Sequence, residues 1–132
     1  MAIRILWEPH VLVCHLSGTL SVDDIHTLNN DTYNNPLYKS IGGVILDYNE
    51  VTATTISHAD VSIIASADHL YGQLDRPRCM AIICKPNSRL RQLAQQYRNE
   101  TSETSLEIAF FDNRVSARNW LAATIIEHGE IS

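Results

Sequence analysis

Ile41-Gly42-Gly43-Val44-Ile45-Leu46-Asp47-Tyr48 is an apolar run that continues unbroken to an acid. With no polar alternation, it predicts a strand buried on both faces, at the centre of a covered sheet. Ten residues beyond Asp47, an alanine-rich apolar pattern opens at Ser57 and predicts a helix. Residues 49–56 between them lie past the carboxyl end of a central strand, where open α/β sheets keep their sites. This segment holds no nucleophile–base pair, no metal-ligand spacing and no glycine-rich phosphate cradle. The residues therefore specify a fold more fully than a function.

Upstream, residues 3–7 and 11–17 are apolar-rich runs separated by Glu8-Pro9-His10, the pattern of a hairpin. Gly18-Thr19 is expected to end the second strand. Ser21, with Asp24 three residues on, opens the first helix, an acid standing in for the usual Glu or Gln of a capping box. Ile25 and Leu28 give that helix its buried stripe, and Asn34-Asn35-Pro36 stops it. Downstream, the second helix spans 57–73 and turns Val61, Ile64, Ala65 and Leu70 inward, with Gly72 near its end. Pro77 breaks the chain, and residues 79–84 form another apolar strand. Pro86-Asn87-Ser88 starts a third helix over 87–99, with Leu90, Leu93, Ala94 and Tyr97 along one side. Residues 106–111 are the last strand, and Asp112-Asn113 caps a final helix whose Ala117, Trp120, Leu121 and Thr124 share a face.

The order β-β-α-β-α-β-α-β-α implies right-handed crossovers between parallel neighbours, plus an antiparallel edge from the hairpin. The expected class is α/β: a five-stranded mixed, mostly parallel sheet with an N-terminal antiparallel hairpin and four helices. One domain spans 1–132, long enough to bury a core without metals or disulfides. Its 45% hydrophobic and 19% charged content is that of a soluble globular protein. The three cysteines are odd in number, and Cys14 and Cys84 sit in strand-like runs where a thiol acts as a small apolar group. That pattern points to a reducing, cytoplasmic setting. No signal peptide is expected from the opening residues, and no apolar stretch reaches bilayer-spanning length.

Charge is distributed unevenly. Residues 1–75 carry nine acids against two bases, whereas residues 76–132 carry six acids against eight bases, seven of them arginine. A basic face for an anionic partner is one reading; arginines on the solvent side of helices is the plainer one. A net charge of −5 lacks the electrostatic footprint of a nucleic-acid binder.

The succession resembles the STAS family, closest to its SpoIIAA-like branch of small stand-alone bacterial proteins. The resemblance rests on Leu16-Ser17-Gly18-Thr19-Leu20, Val44-Ile45-Leu46-Asp47 and Cys79-Met80-Ala81-Ile82-Ile83. Ala109-Phe110-Phe111-Asp112 and Ala117-Arg118-Asn119-Trp120-Leu121 extend it over nearly the whole chain. It implies a non-catalytic regulatory module that binds a protein partner through the second helix and the loop before it. Phosphorylatable members carry an Asp-Ser-Ser-Gly-like motif there. Thr54-Thr55-Ile56-Ser57-His58-Ala59 lacks both the acid and the glycine. Ser57 and Thr55 are the hydroxyls placed to accept phosphate at that helix start, and an N-cap role for Ser57 is the plainer reading.

Other constellations carry less. His58 and His69, eleven residues apart on one helix, are separated by roughly 16 Å of helical rise and cannot share an ion unaided. No metal site and no cofactor is expected. Cys79 and Cys84 lie in an apolar strand that hides a thiol. Asp47 and Glu50, near the end of the central strand, are the one carboxylate pair from which an enzyme is conceivable. The reading preferred for Asp47 is structural, bonding the backbone where the chain leaves the sheet. The second helix is small-sided, with Ala59, Ala65, Ala67, Ser62 and Ser66. A loosely docked helix of that kind leaves room for an apolar, lipid-like ligand beneath it and the third helix. Arg89, Arg91 and Arg98 around Leu90, Leu93 and Tyr97 also suit contact with an anionic membrane surface. The candidate binding residues are thus Asp47, Tyr48, Thr54, Thr55 and Ser57 around the start of the second helix. Val61, Ile64, Leu90, Leu93 and Tyr97 join them on the two helix faces.

Overall fold

The protein is described by a computed structural model covering residues 2–72, 79–102 and 106–127. Gln73, Arg76, Pro77, Arg78 and His128, and the side chains of His69, Leu70 and Tyr71, lie outside the described residues.

The two opening strands, β1 (Ala2–Glu8) and β2 (Val11–Leu20), pair antiparallel through a two-residue turn at Pro9-His10. Pro9 has its φ fixed by its ring, so the turn's left-handed residue falls on His10, at φ 64°. The carbonyl of His10 then accepts the backbone N–H groups of Gly42 and Gly43 at 2.8 and 3.2 Å, anchoring the start of β3 (Gly43–Thr54). Helix α1 (Val22–Tyr33) starts at the expected capping box. Ser21 Oγ accepts from Asp24 N at 3.2 Å, and Asp24 Oδ2 accepts from Ser21 N at 2.8 Å. A short 3₁₀ helix, Pro36–Ser40, fills the connection to β3. There follow α2 (His58–Gly72), β4 (Cys79–Ile83), α3 (Arg89–Glu100), β5 (Glu107–Phe111) and α4 (Arg114–Glu127).

Two expectations about β2 and β3 need correction. Gly18-Thr19 does not end the second strand; it lies inside β2, where the pairing with β3 slips between Gly18 and Thr19. Gly18 takes φ 87° there, a conformation that glycine adopts without strain. Beyond this slip Thr19 and Leu20 pair with Ala53 and Thr54, so residues 49–54 are strand rather than loop. The site-bearing loop is therefore reduced to residues 55–57.

Strand order is β1-β2-β3-β4-β5, antiparallel at the first pair and parallel in the rest. The four parallel strands advance in one direction, so right-handed crossovers put α1, α2 and α3 on the same face. There Leu28, Val61, Leu93 and Ala94 meet Leu12, Cys14, Val44 and Ile82 of the sheet. Free of any crossover, α4 covers the opposite face, where Ala117, Leu121 and Ile125 pack on Val13, Ile45, Ala81 and Ile83. Successive β3 residues such as Val44 and Ile45 are thus both buried, one in each core. This is why the opening run shows no alternation.

The two layers differ in closeness. On α4, Leu121 lies so near the sheet that a Cβ built on Gly43 would stand 2.7 Å from its Cδ1. The helices of the other face stand further from the strands. Space remains between them.

Candidate functional site

That space is a cavity of about 390 Å³, within the size range of small-molecule sites. Its floor is Leu12, Cys14, Val44, Leu46, Tyr48, Met80 and Ile82 of the central strands. Its roof is Ile25, Leu28 and Tyr33 of α1, Val61, Ile64 and Asp68 of α2, and Leu90, Leu93, Ala94 and Tyr97 of α3. Where the lining passes to Asn29, Asn30 and Asn34, the side chains become exposed or half-exposed, and the cavity meets solvent beside α1.

Six of the residues singled out in the sequence line this cavity together: Tyr48, Val61, Ile64, Leu90, Leu93 and Tyr97. They converge because Leu90, Leu93 and Tyr97 recur at helical spacing on α3 and Val61 and Ile64 on α2, both above the β3 face that carries Tyr48. The other four do not line it. Thr54 Oγ1 donates to Leu20 O at 2.9 Å and accepts Ile56 N at 3.1 Å, fixing the strand's exit. Thr55 is exposed, and its N–H is held by Leu20 O at 3.0 Å. Ser57 is exposed and forms a capping box with Asp60. Ser57 Oγ accepts Asp60 N at 3.1 Å, and Asp60 Oδ2 accepts Ser57 N at 2.9 Å. The Ser57 backbone bond, with the side-chain bond behind it, holds the Asp60 carboxyl below its ordinary range.

Asp47 faces the other layer, 7% exposed. Its Oδ2 accepts Arg114 Nε at 2.9 Å and its Oδ1 accepts Asn49 N at 3.1 Å. Glu50 is exposed and lies 3.5 Å from His15 Nε2. Asp47 is thus engaged by Arg114 and Asn49, and no described hydrogen bond joins it to Glu50. All three cysteines are buried and unpaired. Burial pushes the Cys14 and Cys79 thiols up to about 12 and raises Cys84 as well, so none is an activated nucleophile. Among the described residues no cluster of His, Cys, Asp and Glu could hold a metal ion.

The arginines of α3 are largely engaged within the fold. Arg89 Nη2 donates to Ile56 O at 3.1 Å, and the Arg91 guanidinium sits 4.3 Å from the centre of the Phe110 ring. Arg98 stands over the same ring at 5.7 Å. Arg89 and Arg98 are nevertheless exposed on the outer side of α3, while Arg91 is half-buried. On the solvent side α2 and α3 are joined by polar contacts. Gln96 Nε2 donates to His58 O at 2.9 Å and to Glu100 Oε2 at 2.7 Å, and Ser62 Oγ donates to Glu100 Oε1 at 2.7 Å. The Gln96 Oε1 also meets the His58 ring.

Asp68 and Tyr33 escaped the sequence reading, although Tyr48 and Tyr97 did not. Asp68 Oδ2 accepts Tyr97 Oη–H at 2.6 Å and its Oδ1 accepts Tyr33 Oη–H at 3.3 Å, so α2 is tied to both α3 and α1. Tyr38 packs edge-on against Tyr33, with centroids 5.0 Å apart. The signal was present: Asp68 stands at helical spacing from Val61, Ile64 and Ala65, an acid on the inward stripe of an apolar helix. Burial raises its pKa, and the two phenol hydrogen bonds oppose that rise.

The sequence matches no family model and no curated protein. Solved structures do match. An uncharacterized protein of the DUF3478 family from Shewanella loihica PV-4, with a SpoIIAA-like fold, is 19% identical at a TM-score of 0.56, over 91% of this chain and 92% of that one. The anti-sigma factor antagonist SpoIIAA in its unphosphorylated form is 10% identical at a TM-score of 0.58, over 92% and 98% of the two chains. The phosphorylated form of the Bacillus cell fate determinant SpoIIAA is 9% identical at 0.53, over 90% and 99%. Five strands in this order, one antiparallel edge and four helices, superposed over nine-tenths of each chain, identify the fold as SpoIIAA-like.

Proposed function

We propose that this protein is a non-catalytic binding module that reversibly takes up a small, largely apolar ligand between its sheet and helices α1–α3. One observation carries the reading: the cavity of about 390 Å³, walled by aliphatic and aromatic side chains and open beside α1. An empty apolar cavity forfeits packing contacts along its walls, and an apolar guest restores them. Protein purified from heterologous expression and analysed by native mass spectrometry should carry a bound small molecule or take up an apolar fluorescent probe. Leu93→Trp, which fills the cavity from α3, should abolish uptake while leaving the fold intact. Uptake unaffected by Leu93→Trp would place the guest elsewhere.

A second reading is regulatory contact with a protein partner at the start of α2, with Ser57 or Thr55 as phosphoacceptor. It is favoured by the outer surface of α2, where Ile63 is 65% exposed on the same helix that Ser57 caps. The anti-sigma factor antagonist of the same fold, solved in phosphorylated and unphosphorylated forms, lends it support. The two readings are compatible, because α2 roofs the cavity with Val61 and Ile64 and presents Ile63 outward. Ile63→Arg should abolish capture of a specific partner without altering ligand uptake. The three buried, unpaired cysteines favour a reducing, cytoplasmic setting.

A further inference from the structure

The cavity is not uniformly apolar, and its polar groups are incompletely matched. Asp68 lines it with two phenol hydroxyls donating to its carboxylate. Among the described residues no Lys, Arg or His makes an ion pair with it. Asp68 is half-buried, and a carboxylate drawn partly out of water gains from a counter-charge as well as donors, because neutral hydrogen bonds offset only part of its desolvation. Two of its lone-pair sites are used, and a carboxylate offers about four. Tyr48 is 9% exposed and lines the same cavity, and no described residue hydrogen-bonds its hydroxyl. Thr32, by contrast, satisfies its hydroxyl on Leu28 O at 2.9 Å within its own helix and makes no demand on a guest.

We propose that the cavity is built for an apolar amine, whose ammonium sits against the Asp68 carboxylate and whose hydrocarbon body lies along Leu12, Val44, Ile82 and Leu93. This rests on the small-molecule reading above and narrows it to one charge class. The ammonium supplies the missing counter-charge and donates to the free carboxylate lone pairs in a charge-assisted bond. A fatty acid of the same length is disfavoured, because its carboxylate would meet Asp68 in a low-dielectric space.

Calorimetric titration of the full chain with decylamine, decanol and decanoate tests this directly. The amine should bind about tenfold or more tightly than the alcohol, with the acid weakest. Asp68→Asn keeps the size of the side chain and one oxygen to accept the Tyr97 hydroxyl, while its NH2 can donate to Tyr33 Oη. It should bring the amine down to the alcohol's affinity and leave the alcohol within about threefold of wild type. Equal binding of amine and alcohol to the wild type, or an amine preference that survives Asp68→Asn, overturns the proposal while the cavity reading stands. If none of the three binds and an apolar probe is also refused, the cavity reading itself fails and takes this one with it. The wild-type ranking decides the matter even if the variant does not fold.

Discussion

Arg114 Nε donates to Asp47 Oδ2 across 2.9 Å, tying the first residue of α4 to the last β3 residue that pairs with β4. Asp47 also accepts the amide of Asn49 at 3.1 Å, so one buried carboxylate serves the strand's exit and the docking of the opposite helix. Asp47→Ala removes both bonds and leaves a part-buried N–H without its acceptor. A loss of about 1–3 kcal/mol is expected, read as a lower urea midpoint at unchanged slope. Ligand uptake should persist in the folded fraction, since Asp47 is not part of the cavity lining. An unchanged midpoint with uptake lost would make Asp47 a site residue instead.

Gly43 opens β3 beneath α4, and any side chain there enters occupied space. A Cβ would stand 2.7 Å from Leu121 Cδ1, 2.9 Å from Leu121 Cγ and 3.0 Å from Cys79 Sγ. Leu121 and Cys79 are themselves fully buried, so neither can swing away. Gly43→Ala should therefore destabilise by about 1–3 kcal/mol through overpacking. Wild-type stability in this variant would mean that α4 is docked less closely than the fold requires.

The caps were legible because they are local. Ser21 with Asp24 and Asn113 ahead of α4 satisfy helix donors within three residues of themselves, and the expected hydrogen bonds form. The length of β3 was not legible. Residues 49–54 are mixed in polarity, and they become strand because Ser17 to Leu20 of β2 pair along them. Pairing across more than thirty residues leaves no mark on either segment alone. The site fell between these cases. Periodicity placed Val61, Ile64, Leu90, Leu93 and Tyr97 on inward faces, but the meeting of Asp68 with Tyr33 and Tyr97 depends on how three helices converge.

Ser57 has its hydroxyl engaged by Asp60 N and stands beside the Asp60 carboxylate. A phosphate on Ser57 would bring two negative charges against that acid and oppose the helix dipole's attraction. Incubation with cell extract and ATP should leave residue 57 unmodified, and Ser57→Ala should cost about 1 kcal/mol as a lost N-cap. Stoichiometric phosphate on Ser57 would overturn this expectation and leave Ser57 as the phosphoacceptor of the second reading.

Unequal docking of the two layers should be visible in amide exchange. Helix α4 presses Ala117, Leu121 and Ile125 onto the sheet, all fully buried, while α2 and α3 roof a cavity. Their amides should exchange earlier than those of α4 and the central strands, and together, since Gln96, Ser62 and Glu100 join the two helices. An added ligand should slow exchange in α2 and α3 and leave α4 unchanged. Equal protection of all four helices would remove the basis for a movable roof.

Asp68 gives the apo protein a pH dependence of definite sign. Burial raises its folded pKa above the unfolded value, against the weaker pull of the Tyr97 and Tyr33 hydrogen bonds. The folded state then holds this proton more tightly than the unfolded chain. Its contribution is fully present below the ordinary carboxylate range and is lost as pH rises through the raised value. Asp68→Asn cannot titrate, so its melting temperature relative to wild type should be higher at neutral pH than at about pH 3. A saturating alkyl amine should stabilise the wild type at neutral pH, because the ammonium offsets the half-buried charge, and should do little for Asp68→Asn. A difference between the two proteins that stays constant with pH would show that Asp68 keeps an ordinary pKa, with its charge already well solvated. The amine's advantage would then have lost its physical source.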